Sequence, residues 1–353
     1  MTERKMATIR TIAEIKEIEG ADRIQAYRVD GWWVVDQAGK YKVGELVIYC
    51  EIDSWIPHEI APFLSKGKEP REFNGIKGKR LKTIKLKGQL SQGLLLPSNL
   101  YYTDRPYESI EADEGDDVSE LLNITKWELS KKEQLRLSIT NKDARPGGFP
   151  AYIPKSDQER IQNIPEVRIK QWIEDSIEWE VTEKLEGSSL TVYYCKEEED
   201  EGVCSRNINL KKPEDLNSNK FWLVVERDSI LEKLKSLDRS LAFQGELIGP
   251  SVCGNIYSLD KYDFYLYNIW DITFQKWLLP KERDEIANIL QIKHVPVIAK
   301  GIKLDSNETC DSLLEKATGT STIKNRLREG LVYKALDRME SFKAVSNEYL
   351  MEK

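Results

Sequence analysis

Residues 180–189 read Glu-Val-Thr-Glu-Lys-Leu-Glu-Gly-Ser-Ser, a strand-like run that delivers one lysine, Lys184, into a turn at Gly187. Glycine permits the tight turn, which would fix the position of the lysine. A Lys-x-Asp/Glu-Gly tetrapeptide arises by chance in roughly one chain of this size in five. Taken alone, the run therefore indicates no more than a surface lysine at a turn.

Further segments place charged and aromatic residues where purely structural strands have little use for them. In chain order they are Ser205-Arg206-Asn207, Phe243–Gly249, Phe264–Ile269, Arg328–Lys334 and Ser341-Phe342-Lys343. The second of them places the carboxylate of Glu246 inside an apolar run, where an unpaired charge is costly. Together with Lys184, these segments predict a nucleotide pocket made of cations, carboxylates and aromatic planes.

In order and spacing, the segments resemble the nucleotidyltransferase motifs of ATP-dependent polynucleotide ligases and mRNA capping enzymes. They look closest to RNA ligases of the Deinococcus/Naegleria type, and the resemblance spans nearly the whole chain. In that family an OB-fold domain precedes the catalytic domain, whereas capping enzymes and common DNA ligases carry it afterwards. Only ten residues follow Lys343, so the arrangement of the RNA ligases is favoured.

The predicted fold class is α+β, with an N-terminal OB-like β-barrel followed by a ligase-type, ATP-grasp-like nucleotidyltransferase domain. Residues 8–97 read as short strands with turn signals between them, such as Gly31–Val35 and Leu46–Cys50. Later strand-like runs mix with helical stretches at 219–237 and 280–291. The predicted division is an OB-like nucleic-acid-binding domain (1–125), a linker (126–150) and an adenylyltransferase domain (151–353), with an acidic stretch at 103–120 before the linker.

Composition excludes several other classes of site. The 353 residues suffice for two domains. No run approaches eighteen apolar residues, and the start lacks the apolar stretch of a secretory signal, so we expect an intracellular protein that does not bind membranes. We also expect a monomer. The five cysteines are scattered along the chain, so neither a zinc site nor a disulfide framework is indicated. With only two histidines, a Ser-His-Asp mechanism is also disfavoured.

The net charge of -7 makes a local basic surface necessary for any binding of nucleic acid. The densest cationic run is 77–87, from which Arg80, Lys85 and Lys87 are candidate contacts to phosphates. Lys85 and Lys87 would share one face of a strand. A solvated edge strand that lysines protect against aggregation explains this pattern equally well.

The resemblance assigns roles to the cations of the later segments. Lys184 would attack the α-phosphate of ATP, and a divalent cation and the nearby basic side chains would favour its neutral amine. Arg206 would hold a phosphate of the nucleotide or of the 5′-phosphate strand, unless it is an exposed loop arginine. Lys343, with Lys334 as a second candidate, would stabilise charge as pyrophosphate leaves. Leu185 and Gly187 would complete the nucleotide-binding turn.

The acidic and aromatic residues would complete the pocket. By the same resemblance, Glu186, Glu246 and Glu329 would hold Mg²⁺ or Mn²⁺ through its waters. Glu246 could instead bind a ribose hydroxyl or form a buried ion pair. Tyr267 matches the aromatic residue that stacks on adenine, although a strand this aromatic is ordinarily part of the core. Two features depart from the common pattern, because ligases more often have aspartate at Glu186 and lysine at Ser341.

These inferences together predict an ATP-dependent RNA ligase that seals 3′-hydroxyl and 5′-phosphate ends. The resemblance implies nicked duplexes with an RNA 3′-hydroxyl end as the substrate, and lysyl-AMP and 5′-adenylylated RNA as intermediates. A DNA ligase and an RNA capping guanylyltransferase are alternatives with the same chemistry. A non-catalytic RNA-binding protein with a decayed second domain is the alternative of another class.

Overall fold

The computed structural model describes residues 4–98 and 113–353, and it divides the chain into two compact units. The first unit runs from the N-terminus to Leu129 and includes Leu350–Lys353, and the second unit is Ser130–Tyr349. This division falls inside the interval 126–150 that the sequence suggested as a linker. Residues 103–112 of the acidic stretch lie outside the described residues. Within the described ranges, no helix is long and apolar enough to cross a membrane.

The first unit is built from short antiparallel strands. They are β1 (Ala7–Thr11), β2 (Glu14–Glu17), β3 (Ile24–Val29), β4 (Trp32–Gln37), β5 (Leu46–Cys50), β6 (Ser54–Pro57), β7 (Arg71–Phe73), β8 (Ile76–Arg80), β9 (Ile84–Leu86), β10 (Gln89–Ser91), β11 (Leu94–Pro97) and β12 (Thr125–Lys126). Their sheet orders are β1-β5-β11, β2-β3-β4, β12-β6-β8-β7 and β9-β10. The strands expected from 31–35 and 46–50 are confirmed as β4 and β5.

The basic run of the first unit differs from the predicted strand. Strand β9 ends at Leu86, and Lys87 lies in the hairpin turn before Gly88 with a left-handed φ of 49°. Lys85 is on the strand and exposed, but the expectation that Lys87 shares its strand face is wrong. The two-residue turn interrupts the alternation that the sequence pattern had suggested.

The second unit contains two sheets and most of the helices. Its elements are α1 (Lys131–Thr140), β13 (Glu159–Arg160), α2 (Glu166–Glu174), β14 (Trp179–Lys184), β15 (Ser188–Cys195), β16 (Asp200–Cys204), β17 (Asn209–Leu210), α3 (Lys220–Arg227), α4 (Ile230–Lys235), β18 (Leu241–Ile248), β19 (Asp263–Asp271), β20 (Lys276–Trp277), α5 (Pro280–Leu290), β21 (Val297–Ile302), α6 (Cys310–Ala317), β22 (Gly330–Ala335) and β23 (Ser341–Val345). Helix α7 (Asn347–Glu352) begins in this unit, and its residues from Leu350 onward belong to the first unit. One sheet has the order β17-β16-β15-β18-β19-β20, and the other has the order β13-β23-β22-β14-β21.

The interval suggested as a linker contains regular structure that belongs to both units. Strand β12 pairs with β6 in the first unit, whereas Ala144 bridges to Leu210 in the second. The guanidinium of Arg145 lies 3.0 Å from the Asp200 carboxylate. Residues after Ser130 are therefore attached to the second unit by their own contacts, and they do not form an extended connection.

The helical stretch predicted at 219–237 is two helices. Helix α3 ends at Arg227, and α4 begins after Ser229, which has a left-handed φ of 52°. A continuous helix requires negative φ at every residue, so this serine breaks it. The buried side chains of both helices pack on the six-stranded sheet.

The five-stranded sheet is held by an aromatic stack beneath its central strands. The rings of Tyr333 and Phe342 lie 4.5 Å apart with nearly parallel planes, and Trp172 stacks on the other side of Phe342 at 5.2 Å. Trp179 contacts this stack edge-on. Close aromatic packing makes a core rigid, so strands β14, β22 and β23 form a firm support for the side chains on their other face.

Candidate active site

Lys184 lies at the junction of the two sheets of the second unit. It is the last residue of β14 and is paired with Gly330 on β22, while Leu185–Gly187 lead directly into β15 of the other sheet. At Gly187 a Cβ atom would lie 2.4 Å from the Leu247 carbonyl oxygen and 2.9 Å from Cγ of Glu246. Only glycine permits this approach, which holds the turn against β18.

A cavity of about 310 Å³ opens beside this turn, within the range of small-molecule sites. Among the residues predicted for the site, those lining it are Lys184, Leu185, Gly187, Arg206, Glu246, Tyr267, Lys334 and Lys343. Glu186 and Glu329 do not line it. The Glu186 backbone N–H instead donates to the Tyr257 hydroxyl at 2.9 Å.

The ammonium of Lys184 is paired with the carboxylate of Glu329 at 2.7 Å. Burial acts to lower the pKa of Lys184, but the charges of Glu329 and Glu246 outweigh it, so the pKa is raised above its usual value. This is the opposite of the expectation that nearby cations favour the neutral amine. The two carboxylates dominate because one of them is in direct contact with the ammonium.

The three glutamates differ in their surroundings. Burial raises the pKa of Glu246 to about 8, and the opposing effects of Lys184 and Arg206 do not cancel it. Oxygen Oε2 of Glu329 is buried without a hydrogen-bond partner, although Oε1 binds Lys184. Within residues 4–98 and 113–353, no three His, Cys, Asp or Glu side chains are grouped closely enough to hold a metal ion directly.

The two lysines of the later strands reach the cavity in different ways. The Lys343 ammonium lies 2.7 Å from Oδ1 of Asp157, and burial lowers its pKa to about 8 although Asp157 opposes this effect. The Lys334 ammonium donates to the Tyr267 carbonyl oxygen and to Oδ1 of Asn268, each at 2.5 Å. Burial and the nearby Arg283 charge lower the pKa of Lys334 well below its usual value.

Arg206 and Tyr267 line the same cavity from the six-stranded sheet. Arg206 follows β16, as expected, and is exposed. Tyr267 is half-buried on β19, and the Lys334 ammonium is 5.9 Å from the centre of its ring. The structure therefore brings both residues together with the three lysines.

The residues predicted to bind nucleic acid lie in the first unit, and they differ in how far their charged groups are occupied by neighbouring side chains. Arg80 binds Asp53 at 2.6 Å, and its guanidinium lies over the Trp127 ring at 3.7 Å. Phe73 stacks on the same tryptophan. Both the edge and one face of the Arg80 guanidinium are thus occupied, whereas Lys85 and Lys87 are exposed.

Sequence reasoning missed several residues that shape the site. Ser156, Asp157 and Gln158 line the cavity but lie in an irregular segment with no periodicity that could have indicated them. Arg283 did leave a signal, because it lies on the same face of α5 as the buried Ile286, Ala287 and Leu290. A charge at such a position needs a buried partner, and its guanidinium binds Glu180 at 2.5 Å.

One cysteine also borders the turn. The thiol of Cys253 is exposed and donates to the Gly187 carbonyl oxygen at 3.1 Å. Cys50, Cys195, Cys204 and Cys310 are buried.

Comparison with known proteins identifies both parts of the chain. An RNA ligase family model matches residues 177–346, and an OB-fold domain model matches residues 6–98. A search of curated protein sequences gave no match. A search of solved structures gave 30 matching chains.

The similar structures include several of the Naegleria gruberi RNA ligase. A lysine-to-alanine mutant with ATP and Mn is 41% identical, with a TM-score of 0.80 and 99% of each chain covered. The same enzyme with pyrophosphate is 42% identical at a TM-score of 0.78, again over 99% of each chain. A further mutant, with AMP and Mn, is 41% identical at a TM-score of 0.80 and equal coverage. The chain therefore belongs to the RNA ligase family, in the Deinococcus/Naegleria type that carries an OB-fold domain ahead of the ligase domain.

Proposed function

We propose that this protein is an ATP-dependent RNA ligase that seals nicks through a lysyl-AMP intermediate on Lys184. The observation that carries the proposal is the position of Lys184 at the wall of the cavity, together with Lys334, Lys343 and Arg206. Four basic side chains that line one cavity suit a polyphosphate ligand. The similar enzyme was solved with ATP, with AMP and with pyrophosphate. ATP is the substrate of such a step, pyrophosphate is its leaving group, and AMP is the group that becomes bound to the lysine.

In the first step the neutral amine of Lys184 attacks the α-phosphorus of ATP. A phosphorus–nitrogen bond forms, the bond to the bridging oxygen of the β-phosphate breaks, and pyrophosphate leaves with the bonding electron pair. The ammonium must first lose a proton. Its contact with Glu329 favours the charged form, so the bound nucleotide has to shift this balance before attack.

The other cations would stabilise the charge that builds up on the leaving group. Lys343 and Lys334 are the candidates for this role because both line the cavity, and Arg206 is a third cation for the phosphates. Tyr267 is the candidate for stacking on adenine.

The carboxylates fit a hydrated divalent cation, Mg²⁺ or Mn²⁺. Glu246 lines the cavity, and Glu329 brings a buried oxygen that lacks a hydrogen bond. Glu186 is the third candidate. Mg²⁺ prefers carboxylate oxygens and keeps several waters, so indirect contacts through water suit side chains that are not grouped closely enough to bind the ion directly. When bound, such a cation would neutralise phosphate charge.

Two further steps would complete ligation. An oxygen of the RNA 5′-phosphate attacks the AMP phosphorus, and the phosphorus–nitrogen bond breaks to return the free amine of Lys184. The 3′-hydroxyl oxygen then attacks the 5′-phosphorus, and AMP leaves. Lys85 and Lys87 in the first unit are the candidate contacts to the duplex. Arg80 is a weaker candidate because Asp53 and Trp127 already occupy it.

The test is incubation with α-labelled ATP and Mg²⁺, followed by a denaturing gel. The expected result is label that stays on the protein and moves to 5′-phosphorylated RNA when a nicked duplex is added. A panel of nicks with RNA or DNA at the 3′-hydroxyl end would define the substrate, and we expect RNA ends to be preferred. Label from GTP in place of ATP would indicate a capping guanylyltransferase. No covalent label with either nucleotide would indicate a non-catalytic binding protein.

A further inference from the structure

The segment Pro154–Gln158, which we call the strap, has no regular secondary structure and leads directly into β13. Three of its side chains, Ser156, Asp157 and Gln158, line the cavity. It lies outside the residues matched by the RNA ligase family model. An irregular segment at a binding site needs other groups to satisfy its backbone and hold its shape.

Gln244 of β18 provides such groups. Its side-chain oxygen accepts from the Ser156 backbone N–H at 3.1 Å, and its side-chain nitrogen donates to the Pro154 carbonyl oxygen at 2.8 Å. The side chain is only 2% exposed and does not line the cavity. Because one strap partner can only donate and the other can only accept, the orientation of the amide is fixed.

Asn268 of β19 lies opposite Gln244 in the sheet and holds the next groups. Its side-chain nitrogen donates to the Ser156 hydroxyl at 2.6 Å, and its side-chain oxygen accepts from the Lys334 ammonium at 2.5 Å. An ammonium can only donate, so the orientation of this amide is fixed as well. Asn268 thus connects the strap to one of the cavity lysines.

The strap in turn connects to a second cavity lysine, Lys343. Asp157 follows Ser156 directly, and its carboxylate lies 2.7 Å from the Lys343 ammonium. A continuous set of polar contacts therefore joins Gln244 and Asn268 to Lys343 through the strap and to Lys334 directly. Neither amide is near enough to the cavity to line it.

We propose that Gln244 and Asn268 are a pair of positioning residues that hold the strap and thereby fix the ammonium groups of Lys343 and Lys334 at the cavity. The proposal rests on the proposed function, in which both lysines contact the phosphates of ATP. Fixed donors stabilise a transition state without having to reorganise during the reaction. The effect of losing either amide should therefore fall on the rate of lysyl-AMP formation more than on ATP binding.

The first experiment compares Gln244→Met with the parent in single-turnover labelling by ATP. We expect a rate constant lower by about tenfold or more, since small misplacements of catalytic groups are costly, and a nearly unchanged ATP concentration at half-maximal rate. Asn209→Leu is the matched control, because Asn209 is also a buried amide of the same sheet, binds the Tyr193 hydroxyl, and does not line the cavity. It should lower the melting temperature while sparing the rate below that temperature.

A double-mutant cycle separates positioning from general damage. In a Lys343→Ala background, Gln244→Met should lower the remaining rate by less than about twofold, because the lysine that it positions is gone. An equal fractional loss in both backgrounds would overturn the proposal. This comparison remains informative if Gln244→Met is less stable, since the two backgrounds share that defect.

The Asn268 variants provide an independent test. Asn268→Asp keeps an acceptor for Lys334, and the Ser156 hydroxyl can rotate to donate to it, so labelling should be near that of the parent. Asn268→Leu removes both contacts and should lose about tenfold or more in rate. Equal activities for the two variants would overturn the positioning role. Absence of label on the parent protein would instead reject the proposed function.

Discussion

The lysines of the first unit and the lysines of the cavity lie in opposite electrostatic environments. Lys77 pairs with Glu69 where the two side chains are 60% and 80% exposed, whereas Lys184 and Glu329 are 27% and 17% exposed. Water and salt screen the exposed pair, while the charges around the cavity act on each other at short range. The comparison shows that a dense cationic run along the sequence need not form a strongly coupled site. Isolated lysines from separate strands can form one.

The largest effect is expected at the centre of the cavity. Lys184→Arg should abolish covalent labelling by ATP, because arginine keeps the charge but does not lose a proton to become a nucleophile. The measurement is the labelling gel at saturating ATP and Mg²⁺. Supplying the variant with pre-adenylylated RNA is the control, since the final joining step needs no free lysine. Any label on Lys184→Arg would contradict the assignment.

Separating the two units should produce the next largest effect. The fragment Ser130–Tyr349 carries every residue that lines the cavity, so it should still form lysyl-AMP. It should seal nicks poorly because the densest cationic run is missing. Both activities would be measured beside those of the whole chain. Sealing by the fragment at the rate of the whole chain would locate the duplex-binding surface in the second unit.

A buried ion pair and an exposed one should differ in their contribution to stability. Arg283→Met removes the closer of two cations from the fully buried Glu180 and leaves only Lys300, at 3.7 Å, which should lower the free energy of unfolding by about 3 kcal/mol. Lys77→Met should leave it unchanged within error, because both side chains of its pair are in solvent. Urea unfolding followed by tryptophan fluorescence measures both. Equal losses of unfolding free energy for the two variants would contradict the expectation that the buried ion pair contributes more to stability than the exposed one.

The exposed lysines should act on binding and not on chemistry. Changing Lys85 and Lys87 together to Gln should flatten the salt dependence of duplex binding by up to about two units of slope, since each phosphate contact contributes about one. Labelling by ATP should be spared. Changing the exposed Lys16 and Lys42 to Gln is the matched control, because it removes the same charge from the same unit. Unchanged binding at every salt concentration would show that Lys85 and Lys87 do not contact the duplex.

The smallest expected effect is a shift in the pH profile. Asp157 opposes the burial that lowers the pKa of Lys343 to about 8, so Asp157→Asn should lower that pKa further. The ammonium is then lost at lower pH, and the alkaline fall in lysyl-AMP formation should begin earlier. The second-order rate constant for ATP, measured from about pH 6 to 10, reports the free enzyme. Superimposable profiles would indicate that Lys343 does not need its charge.

The site residues were predicted from the order and spacing of several segments together, because each segment alone is also compatible with a purely structural role. Lys184 ends a strand before a glycine turn, Arg206 follows a strand, and Glu246 is a carboxylate inside an apolar run. The strand register that brings them together follows from the same apolar patterns, because a shift by one residue would expose the core.

There is a physical reason why the position of the strap could not be predicted from the sequence. Its position depends on Gln244 and Asn268, which lie about a hundred residues later and become neighbours only when β18 pairs with β19. The Lys87 prediction failed for a similar reason, since a hairpin turn ends the strand pattern. Contacts made by irregular segments depend on the completed fold, and periodicity does not report them.

The thiol beside the turn that follows Lys184 offers a practical route to observing this enzyme at work. Since the other four cysteines are buried and Cys253 is exposed, a maleimide fluorophore should attach to that one position without any cysteine having to be removed. Its hydrogen bond to the Gly187 carbonyl places the dye next to the loop that follows Lys184. Changes in emission would then report occupancy of the pocket during each turnover, in real time and without radioactivity.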